Sequence, residues 1–405
     1  SPRCPIEAVT FDRLWAELEP VGRSATSGGY RRFAWTDADL QLREWFAAQA
    51  GARGLDLTTD RAGNQWAWSG DPDAQPGLAI GSHLDSVPDG GAYDGPLGVV
   101  CAFAALDALT ERGLTPSRPV GIVNFGDEEG ARFGVACAGS RLITGALDSH
   151  RARALSDTDG VTMAEAMTRA GHRPDHLGRD DEALRRIGTF VELHVEQGRG
   201  LVELRRPVAV GSAIWPHGRW RIELAGEGNH AGTTRLADRR DPMLALAAIV
   251  QGARAAAERH GAVATCGKVL VEPNGVNAIP SHVRVWLDAR GARAEQVHAV
   301  VTELSELAGR HGGTLTAESW TERTGFDAEL ADRLSHVLDD APQLDTGAGH
   351  DAGTLANAGV RTAMLFVRNP TGVSHSPAEF AERDDCLAGV AALAAVIQDL
   401  AGDPA

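Results

Sequence analysis

The chain reads as an α/β protein, a mixed sheet flanked by helices, interrupted by a smaller α+β unit of order β-α-β-β-α-β. Three observations predict this. Strand-like and helix-like runs alternate through the first part of the chain. The near-continuous apolar run Val120-Gly121-Ile122-Val123-Asn124-Phe125 fits a central strand buried on both faces. In the middle, Arg219–Leu224 (RWRIEL) and Val283–Leu287 (VRVWL) alternate, the period of a strand with one wet face.

Taken in order, Phe11, Leu14, Trp15 and Leu18 recur at spacings of three and four and predict a first helix; Leu40 to Ala50 predicts a second. Strands are expected at Leu55–Thr58, Gln65–Ser69 and Leu78–Ser82, then a helix from Gly98 to Arg112 and a strand at Val120–Phe125. After RWRIEL come a helix from Pro242 to His260, a strand at Gly267–Val271, the VRVWL strand, a helix from Ala294 to Gly309 and a strand at Thr314–Ala317. That order is the split βαβ, ferredoxin-like arrangement. It places an inserted domain at 211–325 and a main α/β domain at 1–210 and 326–405.

The chain's 405 residues suffice for two domains. Its net charge of −16 argues against nucleic acid and anionic membrane surfaces as partners. Lys268 is the only lysine, which reads as coding bias toward arginine. Five scattered cysteines (Cys4, Cys101, Cys137, Cys266, Cys386) contain no CxxC pair, so neither a disulfide framework nor a thiolate zinc site is expected. No signal peptide is read, and the longest apolar run, Leu387 to Ile397, is too short to span a bilayer, so a cytoplasmic protein is expected. The Ser-Pro-Arg start reads as a processed or trimmed N-terminus.

Chemistry gathers where strands end. Open α/β sheets place their sites beyond the carboxyl ends of strands. Residues 81–100 read GSHLDSVPDGGAYDGPLGVV, with His83 and Asp85 after an apolar run and Asp94 in a glycine-rich loop. Glu128 and Glu129 follow the next strand; His194 stands in ELHVEQG and His375 in GVSHSPAEF. Imidazole nitrogens and carboxylate oxygens suit a hard or borderline cation. A paired-metal site needs about five protein ligands, one of them a bridging carboxylate. Asp85 is well placed to orient His83.

The set HLD, GGAYDGPLGV, DEEGARFG, ELHVEQG, NHAGTT, NAIPSHVRVWLDAR, GAGHDA and GVSHSPAE resembles the M20 family of metal-dependent peptidases and amidohydrolases. Within it, the chain is similar to the branch of N-carbamoyl-L-amino-acid hydrolases, β-ureidopropionases and allantoate amidohydrolases. Histidine at 194 favours that branch. The resemblance covers nearly the whole chain. It implies a metallopeptidase-like catalytic domain with an inserted lid and dimerisation domain, a homodimer, and two divalent metal ions (Zn, Mn, Co or Ni). His83, Asp94 and His194 would surround one ion, and Asp94, Glu129 and His375 the other, with Asp94 bridging. Glu128 would be the general base, and His230 would stabilise the oxyanion. Gln197 matches a position near the carbamoyl group, and Asn277 and Arg290 match the pair that holds the α-carboxylate. Asn277 could instead make a turn, and Arg290 could pair with Asp288.

The chain departs from the family pattern at Arg235, where proline is usual, although Arg239 still matches. It also departs in Ile214–Trp220 and in Val367-Arg368-Asn369-Pro370-Thr371. These changes add His217, Arg219, Arg235 and Arg368. Two readings stay open: surface drift, or a pocket for a second anionic group in which His217 and Arg368 bind substrate. The leading function is therefore hydrolysis of an N-carbamoyl-type group on a small carboxylate, allantoate or an N-carbamoyl-L-amino acid. Alternatives are a deacylase of an N-acyl dicarboxylic amino acid such as N-formyl-L-glutamate, a di- or aminopeptidase, and a catalytically dead binding module. No G-x-S-x-G elbow supports a serine hydrolase.

Overall fold

A computed structural model of the chain describes residues 5–402; Cys4 and the Ser-Pro-Arg start lie outside the described residues. The chain divides into two compact units, one made of residues up to Ser212 together with Gly325 onward, the other of Ala213–Thr324.

The first unit is built on one mixed sheet. Its strands are β1 (Asp56–Thr59), β2 (Gln65–Ser69), β3 (Gly77–His83), β4 (Val120–Phe125), β5 (Ile187–Val195) and β6 (Val208–Ile214). The second unit contributes β7 (His217–Ala225), β8 (Asn229–His230), β9 (Val263–Glu272), β10 (Ala278–Ile279), β11 (His282–Arg290) and β12 (Thr314–Thr321). The chain then adds β13 (Thr324–Gly325), β14 (Gln343–Thr346) and β15 (Arg361–Val367). The mixed sheet runs β1-β2-β4-β3-β5-β15-β6-β13, with β14 also paired to β6. Its centre, β4-β3-β5-β15, is parallel, and antiparallel pairs flank it on both sides. This is the mixed, helix-flanked sheet expected from the alternating pattern.

Buried parallel strands need cover on both faces. On one side, Val191, Leu193 and Val195 of β5 join Ile80 of β3 in the main core with the helix Pro96–Glu111. That helix is buried along nearly its whole length because the helices Ile6–Leu18 and Arg383–Ala401 pack against it. By strand alternation, Phe190, Glu192 and His194 turn to the opposite face. There Glu192 Oε2 accepts the N–H of Ala352 at 3.0 Å, at the start of the helix Asp351–Asn357. The parallel strands β3 and β5, and the loop after β4, therefore deliver polar side chains to one end of the sheet.

The second unit is a four-stranded antiparallel sheet of order β12-β7-β11-β9. The helices Pro242–His260 and Ala294–Arg310 cover one face. Trp220, Ile222, Leu224, Val283, Val285 and Leu287 meet Ile249, Ala256, Val297 and Leu304 there. The alternation of RWRIEL and VRVWL supplies this face, and the intervening residues form the polar one. Strand β9 begins at Val263, four residues before the expected start, because Ala264 and Cys266 alternate toward the helices without a strong apolar signal. No helix among the described residues is long and apolar enough to cross a membrane.

Phe190 is fully buried and packs edge-on against Phe125, ring centroids 5.7 Å apart. Phe190→Ala is expected to lower the unfolding free energy by about 3–5 kcal/mol, read from urea unfolding followed by circular dichroism.

Candidate metal centre

Four strand ends or their following loops bring the acidic and imidazole side chains of the first unit together. His83 closes β3, Glu128 and Glu129 follow β4, His194 lies near the end of β5, and His375 lies in the loop after β15. Three sets of side chains have ligand atoms close enough to share a cation: His83, Asp94 and His194; His83, Glu128 and Glu129; and Asp94, Glu129 and His375.

Asp94 stands between two of these sets. Its Oδ1 lies 3.5 Å from His83 Nε2 and 3.1 Å from His194 Nε2. Its Oδ2 lies 3.1 Å from His375 Nε2, which is itself 3.5 Å from Glu129 Oε1. Glu128 Oε2 lies 3.6 Å from His83 Nε2. His83 and His194 are buried, whereas the His375 side chain is 50 % exposed.

The tautomers follow from the outer partners. His83 Nδ1 lies 3.0 Å from the Asp85 carbonyl oxygen, and His194 Nδ1 lies 2.9 Å from the Val195 carbonyl oxygen. A carbonyl can only accept, so each Nδ1 carries a proton and each ring, once neutral, turns its Nε2 lone pair toward the carboxylates. Both Nε2 atoms are buried and make no hydrogen bond. Lone pairs aimed at carboxylate oxygens repel unless a cation or a proton lies between them. The donor set therefore fits a divalent cation.

Asp85 organises the rest. Its Oδ1 accepts the N–H of Glu128 at 3.1 Å and its Oδ2 the N–H of Glu129 at 3.0 Å, while its carbonyl holds His83. Gly95 has φ +95°, and a Cβ there would sit 2.5 Å from His83 Cε1, so the Asp94 loop can close over the ring only with glycine.

The electrostatics show how much negative charge is gathered. Burial opposes charge on His83, but Glu128, Asp85 and Asp94 raise its pKa well above the usual histidine value. Burial works the same way on His375, and Asp94 and Glu129 still lift it to about 10. Burial, together with the charge of Glu129, Asp351 and Asp94, pushes Glu128 well above the carboxylate range, against the pull of His83. Burial and Asp94 raise Glu129. Asp94, although buried, is held well below the carboxylate range by His194, His375 and His83.

The remaining expected site residues fall as follows. Gln197 donates from Nε2 to Asp94 Oδ2 at 3.1 Å and to Ser374 Oγ at 2.9 Å. Both arms of the Arg368 guanidinium grip Asp385 at 2.8 Å, an internal ion pair. In the second unit, β8 pairs with β10, and Ala231 N–H bonds Asn277 O at 3.0 Å, which sets His230 beside Asn277. His230 Nδ1 accepts the N–H groups of Gly232 and Thr233, so its Nε2 carries the proton. Arg239 braces that loop through the carbonyls of Ala231 and Thr234. Arg290 forks onto Asp288 at 2.7 and 2.9 Å, and Arg219 reaches the same carboxylate at 3.4 Å. His217 Nδ1 turns to the Trp215 carbonyl, and the exposed Arg235 pairs with Asp238.

Several buried groups beside the centre carry no expectation from the sequence. Glu192 accepts Ser82 Oγ, Asp351 accepts Ser140 Oγ, and His350 lies against the His194 ring with centroids 4.5 Å apart. Glu379 binds the backbone of the Asp94 loop. His350, Asp351 and Glu379 all stand inside motifs already singled out, GAGHDA and GVSHSPAEF, which is the signal that could have found them.

Residues 79–399 match the family described as Peptidase family M20/M25/M40. The chain is 37% identical to the N-carbamoyl-L-amino acid amidohydrolase of Geobacillus stearothermophilus over 96% of this chain and 98% of that protein. It is 32% identical to the allantoate amidohydrolase of Bacillus subtilis over 95% of each. The crystal structure of an amidase of the hydantoinase/carbamoylase family from Burkholderia vietnamiensis superposes with a TM-score of 0.89 at 28% identity, covering 98% of each chain.

Groups whose pKa is raised hold protons at neutral pH, and a cation must displace them. Divalent-cation affinity is therefore expected to climb with pH through the neutral range toward about 10, where His375 sheds its proton, with proton release on binding. Calorimetry in buffers of different ionisation enthalpy reads this, and an affinity flat with pH would contradict it.

Proposed function

Because this chain belongs to peptidase family M20/M25/M40, we propose that it is a metal-dependent amidohydrolase. It cleaves the C–N bond of an N-carbamoyl-type group on a small carboxylate, allantoate or an N-carbamoyl-L-amino acid. The observation that carries this reading is Asp94, which turns one oxygen to His83 and His194 and the other to His375. In this reading His83, Asp94 and His194 hold one divalent ion, and Asp94, Glu129 and His375 a second, each Zn, Mn, Co or Ni. Such ions supply Lewis acidity toward the scissile carbonyl and toward water.

The chain's own groups do the rest. Glu128 takes a proton from the attacking water and returns it to the leaving nitrogen. Asp85 fixes the backbone of Glu128 and the tautomer of His83. His230, with its proton on Nε2, offers a donor to the developing oxyanion. Asn277 and Arg290 receive the α-carboxylate, and Asp288 sets the plane of the Arg290 guanidinium.

Gln197 supports a carbamoyl over a formyl group. Asp94 Oδ2 can only accept, so it orients the Gln197 amide nitrogen, and both of that nitrogen's hydrogens are engaged. The carbonyl oxygen of Gln197 is left to accept from a substrate N–H. A carbamoyl group offers its terminal NH2, beyond the scissile N–H that an N-formyl substrate also carries. The ion pairs of Arg368 with Asp385 and of Arg235 with Asp238 leave the dicarboxylate alternative without support from either residue.

The second unit is read as a ferredoxin-like lid and dimerisation domain of a homodimer. Its strand order supports this, as does β9, a ten-residue edge strand that exposes Val269 and Leu270. The four cysteines at 101, 137, 266 and 386 are unpaired, in keeping with a cytoplasmic location.

Metal-reconstituted protein is expected to release amino acid from N-carbamoyl-L-amino acids or product from allantoate, and to leave N-formyl-L-glutamate and dipeptides largely untouched. Glu128→Gln should lower kcat by about 10²–10⁴-fold. Inactivity on every carbamoyl substrate, or parity between wild type and Glu128→Gln, would sink the reading. Sedimentation equilibrium is expected to give a dimer, and Leu270→Lys a monomer; a monomeric wild type rules the dimer out.

A further inference from the structure

We infer that Glu379 is a positioning residue that ties the Asp94 loop to the His375 loop and thereby builds the outer ligand group of Asp94, Glu129 and His375. The inference rests on the metal-dependent reading above.

Glu379 lies four residues beyond His375 and 285 residues from Asp94, and it is buried. Its Oε1 accepts the backbone N–H of Tyr93 at 3.0 Å and of Asp94 at 2.9 Å. Its Oε2 accepts the Ser374 hydroxyl at 2.6 Å. Ser374 Oγ in turn accepts Gln197 Nε2, whose other hydrogen goes to Asp94 Oδ2. The ring closes: Asp94 is held by its backbone and by its side chain through the same three residues, Glu379, Ser374 and Gln197. Both Glu379 oxygens are engaged by donors, so Glu379 acts on the ligands and is not one of them.

Two details make the link tight. A Cβ on Gly91 would stand 2.4 Å from Glu379 Cβ, so the Asp94 loop lies flush against this side chain. His375 has a left-handed backbone, φ 53°, which a histidine keeps only where its surroundings over-determine it. Ser374, immediately before it, is fixed by Glu379 and Gln197. Asn369 fixes the earlier part of the loop, accepting Gly372 N–H at 3.0 Å and donating to Val373 O at 2.8 Å.

The inner histidines are held by other partners. His83 leans on Asp85 and His194 on the Val195 carbonyl. Asp94 serves both groups, so loss of Glu379 loosens both, but only the outer group also loses the placement of His375. The outer ion should weaken more than the inner one, an inequality that general destabilisation does not produce.

The test uses full-length protein stripped with a chelator and titrated with cobalt(II). Visible absorption and metal analysis follow each ion, and thermal unfolding is measured alongside. Wild type is expected to take up two ions. Glu379→Ala should bind one ion about 10- to 100-fold more weakly, as His375→Ala does, and the other with a clearly smaller loss. Ser374→Ala, which removes the links to Glu379 and Gln197 but leaves the Glu379 bonds to the Tyr93 and Asp94 backbone, should weaken the same ion at an unchanged Tm, and it decides the matter if Glu379→Ala does not fold. Two ions bound as in wild type, or equal weakening of both, overturns the inference while leaving the metal-dependent reading intact. A wild type that binds fewer than two cobalt ions overturns both.

Discussion

The constraint on which this structure turns is charge crowding. Asp94, Glu128 and Glu129 meet His83 and His194 in a space almost closed to water, and Asp85, Glu192, Asp351 and Glu379 stand just behind. Gathering so many carboxylates costs far more than packing returns unless positive charge is shared among them. The orphaned Nε2 atoms of His83 and His194 are the local expression of that demand. The hydrogen bonds around the cluster keep the donors in place while their charges oppose one another.

The scaffold answers this with order inherited from the sheet. Parallel strands β3 and β5 end side by side, so His83 and His194 arrive with rings 5.9 Å apart. The antiparallel edges and the helix Pro96–Glu111 carry the apolar burial that holds those ends fixed. Asp85 then spans two strand ends at once, linking the residue that closes β3 to the pair that follows β4. Precision at the centre is thus a property of neighbouring strand ends and their short loops, not of any one segment.

Much of this was legible in the sequence. The apolar run of VGIVNF and the alternation of RWRIEL and VRVWL marked strands because their periods are set by burial. The ligand residues stood out because each motif joined an apolar run to an imidazole or carboxylate. Strand β9 was cut short because its residues are half exposed and carry little apolar contrast. Arg368 looked like a pocket cation because its partner Asp385 lies seventeen residues on, past the His375 loop in the helix Arg383–Ala401. Glu379 was silent for a related reason. A carboxylate in a polar loop gains meaning only when a distant backbone folds against it.

The unequal exposure of the three histidines has a kinetic consequence. His83 and His194 are sealed beneath the sheet end, whereas half of the His375 side chain meets solvent. The two ligand groups share Asp94 but not access. On the two-ion reading proposed above, a cation beside His375 would sit at the door, and one between His83 and His194 behind it. Loading and loss would then be sequential: the inner position would fill first and empty last, and a chelator or a competing ion would trade with the outer position before it reached the inner one.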